Sequence, residues 1–144
     1  MKNTLYVMQG VPGSGKSYVA EGLSNGLDAD VCSTDDYFYA GKNYIFRPEK
    51  LAEYHGMNLK RACGLLDEGR TVILDNTNIQ RWQSREYVKF AVDRNIPVVF
   101  IRVTGNFNTV HGVPAHKIEE MRQQMEVLTV ESVLASKAPW EKND

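Results

Sequence analysis

Three features of the 144-residue sequence predict an α/β fold, a three-layer arrangement in which helices cover both faces of a mostly parallel sheet. Strand-sized apolar runs alternate with amphipathic helical segments. A glycine-rich turn joins the first strand to the first helix, and acidic residues stand where two later strands end. Right-handed crossovers put the loops after the strands on one sheet edge, where such folds bind ligands.

Residues 4–8 are apolar and β-prone and give way at once to turn residues, which predicts a buried strand. Residues 17–27 carry Val19, Ala20 and Leu23 on one face and end at Asn25-Gly26, a helix. A short strand over 31–34 leads into Asp35-Asp36. Residues 37–47 are rich in aromatics and glycine without a period and read as loop. Pro48 opens a long helix, since proline suits a first helical turn. Leu51, Tyr54, Leu59, Ala62, Leu65 and Leu66 give that helix its spacing, and Gly69 stops it. The third strand is 71–74, followed by Asp75-Asn76-Thr77-Asn78. Residues 80–95 are amphipathic through Tyr87, Val88, Ala91 and Val92, and 97–103 is the fourth strand. Residues 104–113 read as loop, and Pro114 starts a helix to about Glu126. The stretch 127–134 fits strand and helix equally, and with Trp140 it could pack on its own sheet or on another subunit.

The length is about that of one domain, and without repeats or Pro/Gly/Ser-rich linkers 1–144 reads as a single domain. Lys plus Arg number 17 and Asp plus Glu 18, a formal charge of −1. That balance excludes a wholesale basic surface for duplex DNA but leaves room for one small basic groove. Cys32 and Cys63 have no metal-ligand spacing around them and fit a reduced, cytoplasmic chain. Apolar stretches fall short of the ~20 residues of a membrane span, so no membrane partner is expected. Met1-Lys2-Asn3-Thr4 runs directly into a strand, and the expectation is no signal peptide.

Gly10-Val11-Pro12-Gly13-Ser14-Gly15-Lys16-Ser17 satisfies G-x-x-x-x-G-K-[ST] between a strand and a helix. Glycines let the backbone wrap a polyphosphate with its N–H groups inward, and the helix adds the positive end of its dipole. Lys16 would reach the β- and γ-phosphates and Ser17 would ligate Mg²⁺. A flexible glycine turn is the alternative, but the flanking strand and helix favour a nucleotide site and hence a P-loop NTPase fold. A GTPase would carry Asn-Lys-x-Asp after a later strand, and none is present. Mechanical and AAA-type ATPases place Glu after the Asp that ends a hydrophobic strand, to activate water. Here Val72-Ile73-Leu74-Asp75 is followed by Asn76. Transfer to a substrate hydroxyl fits better: a kinase.

A carboxylate that orients the hydroxyl and accepts its proton helps such a transfer. Asp35 and Asp36 stand at the right edge, and since extended neighbours point oppositely, only one can serve. An Asp-rich turn or helix cap explains them equally on local grounds. Asp75 is placed to assist Mg²⁺ through water, or simply to end the strand. Asn76, Thr77 and Asn78 beside it suggest a polar lining. His55, Asn58 and Arg61 form a skewed polar stripe on the long helix, which a solvated face would also produce.

Gly13-Ser14-Gly15-Lys16-Ser17, Ser33-Thr34-Asp35-Asp36-Tyr37-Phe38, His55-x-x-Asn58-x-x-Arg61, Asp75-Asn76-Thr77-Asn78 and His111-Gly112-Val113-Pro114 occur in that order. In this the chain resembles the polynucleotide-kinase-like P-loop kinases: phage 5′-hydroxyl polynucleotide kinase and kinase domains of animal ubiquitin-ligase-binding proteins. The resemblance implies ATP with Mg²⁺ and phosphoryl transfer to the 5′-hydroxyl of DNA or RNA. It implies Asp35 as general base, Lys16 as phosphate-binding lysine and Ser17 as the magnesium ligand. Beside it, Asp75 is expected at the metal, and Asp36, Arg47, His55, Asn58, Arg61 and Asn76 to Asn78 toward the substrate. Two departures stand out. Phe38 occupies the place of a substrate-gripping Arg, and the lid stretch 104–110 is short, with Asn108 and Thr109 where the family has Arg-Asn. Arg122, then Arg102 or Arg47, is the expected substitute for the lid arginine. Arg81 and Arg85, like Arg47 and Arg61, are either phosphate contacts or surface charges. A small-molecule hydroxyl acceptor and a catalytically weakened ATP-binding module are the other readings.

Overall fold

A computed structural model of the protein describes residues 2–107 and 112–142. Strands β1 (Leu5–Gln9), β2 (Asp30–Cys32), β5 (Val72–Leu74) and β6 (Val98–Arg102) form a parallel sheet in the order β2-β5-β1-β6. Leu5 lies beside Val72 on one side and Val98 on the other. Between them run α1 (Lys16–Leu27), α2 (Leu51–Asp67) and α3 (Arg85–Asp93), and α4 (Ala115–Gln124) and α5 (Val130–Ala135) follow.

The two-residue period of a strand divides the apolar side chains between the faces. Leu5, Val7, Val72 and Leu74 enter one core with Ala62 and Leu66 of α2, Val88 of α3 and Val133 of α5. Met8 and Ile73 turn the other way, onto Ala20 of α1. The expected three layers are therefore present. α4 buries no residue in either core. Among the described residues no helix is long and apolar enough to cross a membrane.

Two segments depart from the sequence expectation. The strand expected over 31–34 stops at Cys32, and Thr34–Phe38 coils into a 3₁₀ turn. The Thr34 N–H donates to Asn76 Oδ1 at 2.9 Å instead of extending the ladder, and Asp36 N–H donates to the Ser33 carbonyl. The expected loop 37–47 contains an antiparallel hairpin, β3 (Tyr39–Ala40) and β4 (Asn43–Tyr44), closed at Gly41, whose φ is 63°. Phe38 anchors it. Almost fully buried, its ring lies 4.8 Å from Tyr54 and 5.1 Å from Phe46, centroid to centroid.

The ambiguous 127–134 resolves as α5, whose capping Thr129 accepts from the Ser132 N–H. This segment packs on its own sheet, with Val133 fully buried. Trp140 meets Trp82 edge to face at 5.1 Å, and Arg85 Nη2 donates to Glu141 Oε1 at 2.6 Å. Asn108, Thr109 and His111 of the expected lid region lie outside the described residues.

Candidate active site

The turn between β1 and α1 holds Gly13 at φ 81° and Gly15 at φ 91°, left-handed conformations that favour glycine. Gly10 is required for a different reason. A Cβ there would stand 2.5 Å from Ser14 Oγ and 3.0 Å from the Val103 carbonyl. No side chain caps the amino end of α1, so its N–H groups face the turn. Ser14 Oγ is buried and lacks a hydrogen-bond partner among the described residues. An uncapped helix end, a cradle with no room for a Cβ and an orphaned buried hydroxyl fit an anionic phosphate. Pro12 lies within this turn, half-buried. Over the turn lies Phe107, whose N–H donates to the Gly13 carbonyl at 2.7 Å.

At the head of α1, Lys16 Nζ reaches Asp75 Oδ1 at 2.7 Å and Ser17 Oγ donates to Asp75 Oδ2 at 3.0 Å. The pair is nearly out of water, with side-chain exposures of 12% for Lys16 and 6% for Asp75. A hydroxyl and a carboxylate this close suit a hard cation that keeps phosphate oxygens and waters as its other ligands. No cluster of three or more His, Cys, Asp or Glu able to cage a metal occurs among the described residues.

These three residues line a cleft of about 460 Å³ that also receives Asp35, Asp36 and Tyr39. Asp35 Oδ1 accepts a hydrogen bond from the Tyr44 hydroxyl at 3.1 Å. Arg61 approaches Asp36 at 4.0 Å. Loss of water around Asp36 raises its carboxyl above the ordinary value; Arg61 opposes the rise, and Asp75 and Asp35 add to it. The folded chain therefore holds a proton here that the unfolded chain has shed just above pH 3.8. Stability falls as pH rises through that window, and at neutral pH the charge is a penalty. Asp36→Asn is thus expected to raise the Tm at pH 7 by about 1–2 °C, since solvent screens so exposed a group. The gain should vanish near pH 4, which thermal melts at the two pH values check.

The other expected site residues take different places. His55 stands behind the cleft, its Nδ1 2.9 Å from Thr34 Oγ1. Desolvation lowers its basicity against the pull of Asp35. Asn58 departs from the expected polar stripe: it is fully buried and donates to the Tyr87 hydroxyl at 3.1 Å. A three-residue spacing drifts around a helix, and here it carries the middle member into the α2–α3 interface. Asn76, Thr77 and Asn78 tie backbone together. Besides the Asn76–Thr34 bond, the Thr77 carbonyl accepts the Gly10 N–H, and the buried Asn78 donates to the Met8 carbonyl at 2.7 Å.

Arg102 is held by Gln9 Oε1 and the Glu126 carbonyl. Arg81 donates to the Val127 carbonyl and Arg85 to Glu141, so both serve the C-terminal segment. Arg47 is exposed ahead of the Pro48–Lys50 turn. Arg122 pairs with Glu119 and donates to Asn106 Oδ1 at 3.3 Å, beside the stretch that covers the phosphate turn. Tyr39 and Tyr44 escape the sequence reading because they lie in the segment taken as loop. Aromatics flanking Gly41-Lys42 are the signal that marks the hairpin.

The sequence model of the AAA_33 family, described as an AAA domain, matches residues 5–105. The chain belongs to this family. The residue after Asp75 here is Asn76, and its Oδ1 accepts the Thr34 N–H. Human NEDD4-binding protein 2 is 31% identical over 147 residues, a match covering 94% of this chain and 8% of that protein. Kti12 from Chaetomium thermophilum, solved with ADP-AlF3, superposes with a TM-score of 0.64 at 17% identity, covering 85% of this chain and 80% of Kti12. A chain of the Pnkp1/Rnl/Hen1 RNA repair complex gives a TM-score of 0.59 at 18% identity, covering 92% of this chain and 42% of the other. Both structural likenesses are of fold: a parallel sheet with helices on its faces and the phosphate turn after its first strand.

Proposed function

We propose that the domain is an ATP-dependent phosphotransferase that acts on a hydroxyl, the 5′-hydroxyl of a polynucleotide end. One observation carries the reading: phosphate-loop residues Lys16 and Ser17, the buried Asp75, and Asp35 on the turn after β2 converge on a single cleft. Gly10 to Ser17 would hold the triphosphate, and Ser17 with Asp75 would hold Mg²⁺, which neutralises phosphate charge when bound. Asp35 takes the proton of the acceptor hydroxyl as its oxygen bonds to the γ-phosphorus and the bond to the β-phosphate oxygen breaks, leaving ADP. The nucleic-acid acceptor is supported by the ordered family motifs and by likeness in fold to a chain of the Pnkp1/Rnl/Hen1 RNA repair complex.

Phe38 favours a second acceptor class. It fills the position of a phosphate-gripping arginine and is packed away among aromatic rings, which suits a small hydroxyl substrate with no phosphate to grip. Incubation with Mg²⁺, γ-labelled ATP and panels of 5′-hydroxyl oligonucleotides, nucleosides and sugars decides. Label on oligonucleotide ends supports the first reading, and label confined to nucleosides or sugars moves the acceptor to a small molecule. No labelled acceptor overturns both.

Arg122 is the arginine proposed to neutralise phosphoryl charge; its hydrogen bond to Asn106, beside the stretch over the phosphate turn, supports this. Arg122→Ala is expected to lower kcat by about 10³-fold, the lower bound for such arginines. Steady-state rates equal to those of the unaltered protein remove the assignment.

A further inference from the structure

We propose that Tyr44 is a positioning residue that fixes the Asp35 carboxylate in the orientation needed for proton abstraction; this rests on the reading of Asp35 as the base. The Tyr44 hydroxyl donates to Asp35 Oδ1 at 3.1 Å. Donor and acceptor are nine residues apart in sequence and meet because the hairpin folds Tyr44 back opposite Tyr39. The phenol ring is itself held edge-on by Phe38 at 6.1 Å and Tyr39 at 5.3 Å. Burial, and secondarily the Asp35 charge, push its ionisation well above the ordinary range, so Tyr44 is a protonated donor at neutral pH.

Asp35 sits on a half-buried 3₁₀ turn, where two side-chain torsions decide which way its oxygens face. A donor anchored in a separate, ring-packed element removes that freedom. A hydroxyl and a carboxylate must also meet within about 3–3.5 Å for efficient transfer, so misorientation affects rate rather than binding. Tyr44 keeps its proton and acts through Asp35, which separates its role from that of the base.

Tyr44→Phe keeps the ring packing and deletes only the donor. In the full chain, with ATP, Mg²⁺ and a 5′-hydroxyl oligonucleotide, kcat is expected to fall about 10- to 100-fold, the worth of a hydrogen bond to a charged group. KM for ATP and for the oligonucleotide should stay within about twofold, as expected for an interaction that acts on the chemical step. In an Asp35→Asn background, Tyr44→Phe should cost nothing further. An unchanged kcat, an equal loss in both backgrounds, or a loss confined to KM overturns the proposal. A crystal structure of Tyr44→Phe answers without turnover: a displaced Asp35 carboxylate supports it, an unmoved one overturns it. Failure of the unaltered protein to label any acceptor counts against the proposed function instead.

Discussion

Asp35→Asn is expected to lower kcat by about 10²–10⁴-fold, the usual contribution of a positioned general base. The amide has nearly the shape of the carboxylate, and its oxygen still accepts the Tyr44 hydroxyl, so the turn Thr34–Phe38 and the hairpin keep their contacts. The base is not among the residues of the phosphate turn, and ATP affinity by calorimetry should be unchanged. The expected signature is therefore a rate defect with intact nucleotide binding. Full transfer activity in Asp35→Asn excludes this carboxylate as the base.

Lys16→Ala is expected to act on two properties at once. Removing a preorganised cation from the phosphates should lower kcat by about 10²–10³-fold. It also strands Asp75, which is nearly out of water and, among the described residues, keeps the Ser17 hydroxyl as its side-chain partner. Breaking a buried pair from one side costs about 3 kcal/mol of folding stability. The double variant Lys16→Ala with Asp75→Asn should recover most of that stability in denaturant melts, because a neutral amide tolerates the site. Activity should stay lost. A Lys16→Ala protein as stable and as active as the unaltered chain contradicts both parts.

The strands and helices that build the sheet were legible because each carries a period. Leu5 and Val7 against Met8, or Val72 and Leu74 against Ile73, sort onto opposite faces by alternation alone. The phosphate turn was legible because its glycines answer steric demands that few other sequences meet. The hairpin was not, since strands of two residues carry no period and Phe38 is fixed by rings as distant as Tyr54. Asn58 misled for a related reason. A polar residue reads as exposed until its partner is known, and Tyr87 lies 29 residues away. Asn76 and Asn78 likewise look like a ligand lining in sequence, while Asn76 Oδ1 accepts the Thr34 N–H and the Asn78 amide donates to the Met8 carbonyl.

The two indoles of the chain touch one another, Trp82 ahead of α3 and Trp140 on the closing turn. Neither belongs to the cleft. Intrinsic ultraviolet emission is thus an optical gauge of whether the last residues are clasped against the body, read separately from nucleotide occupancy. Separating Trp140 from Trp82 would alter the spectrum without touching a residue that lines the cleft.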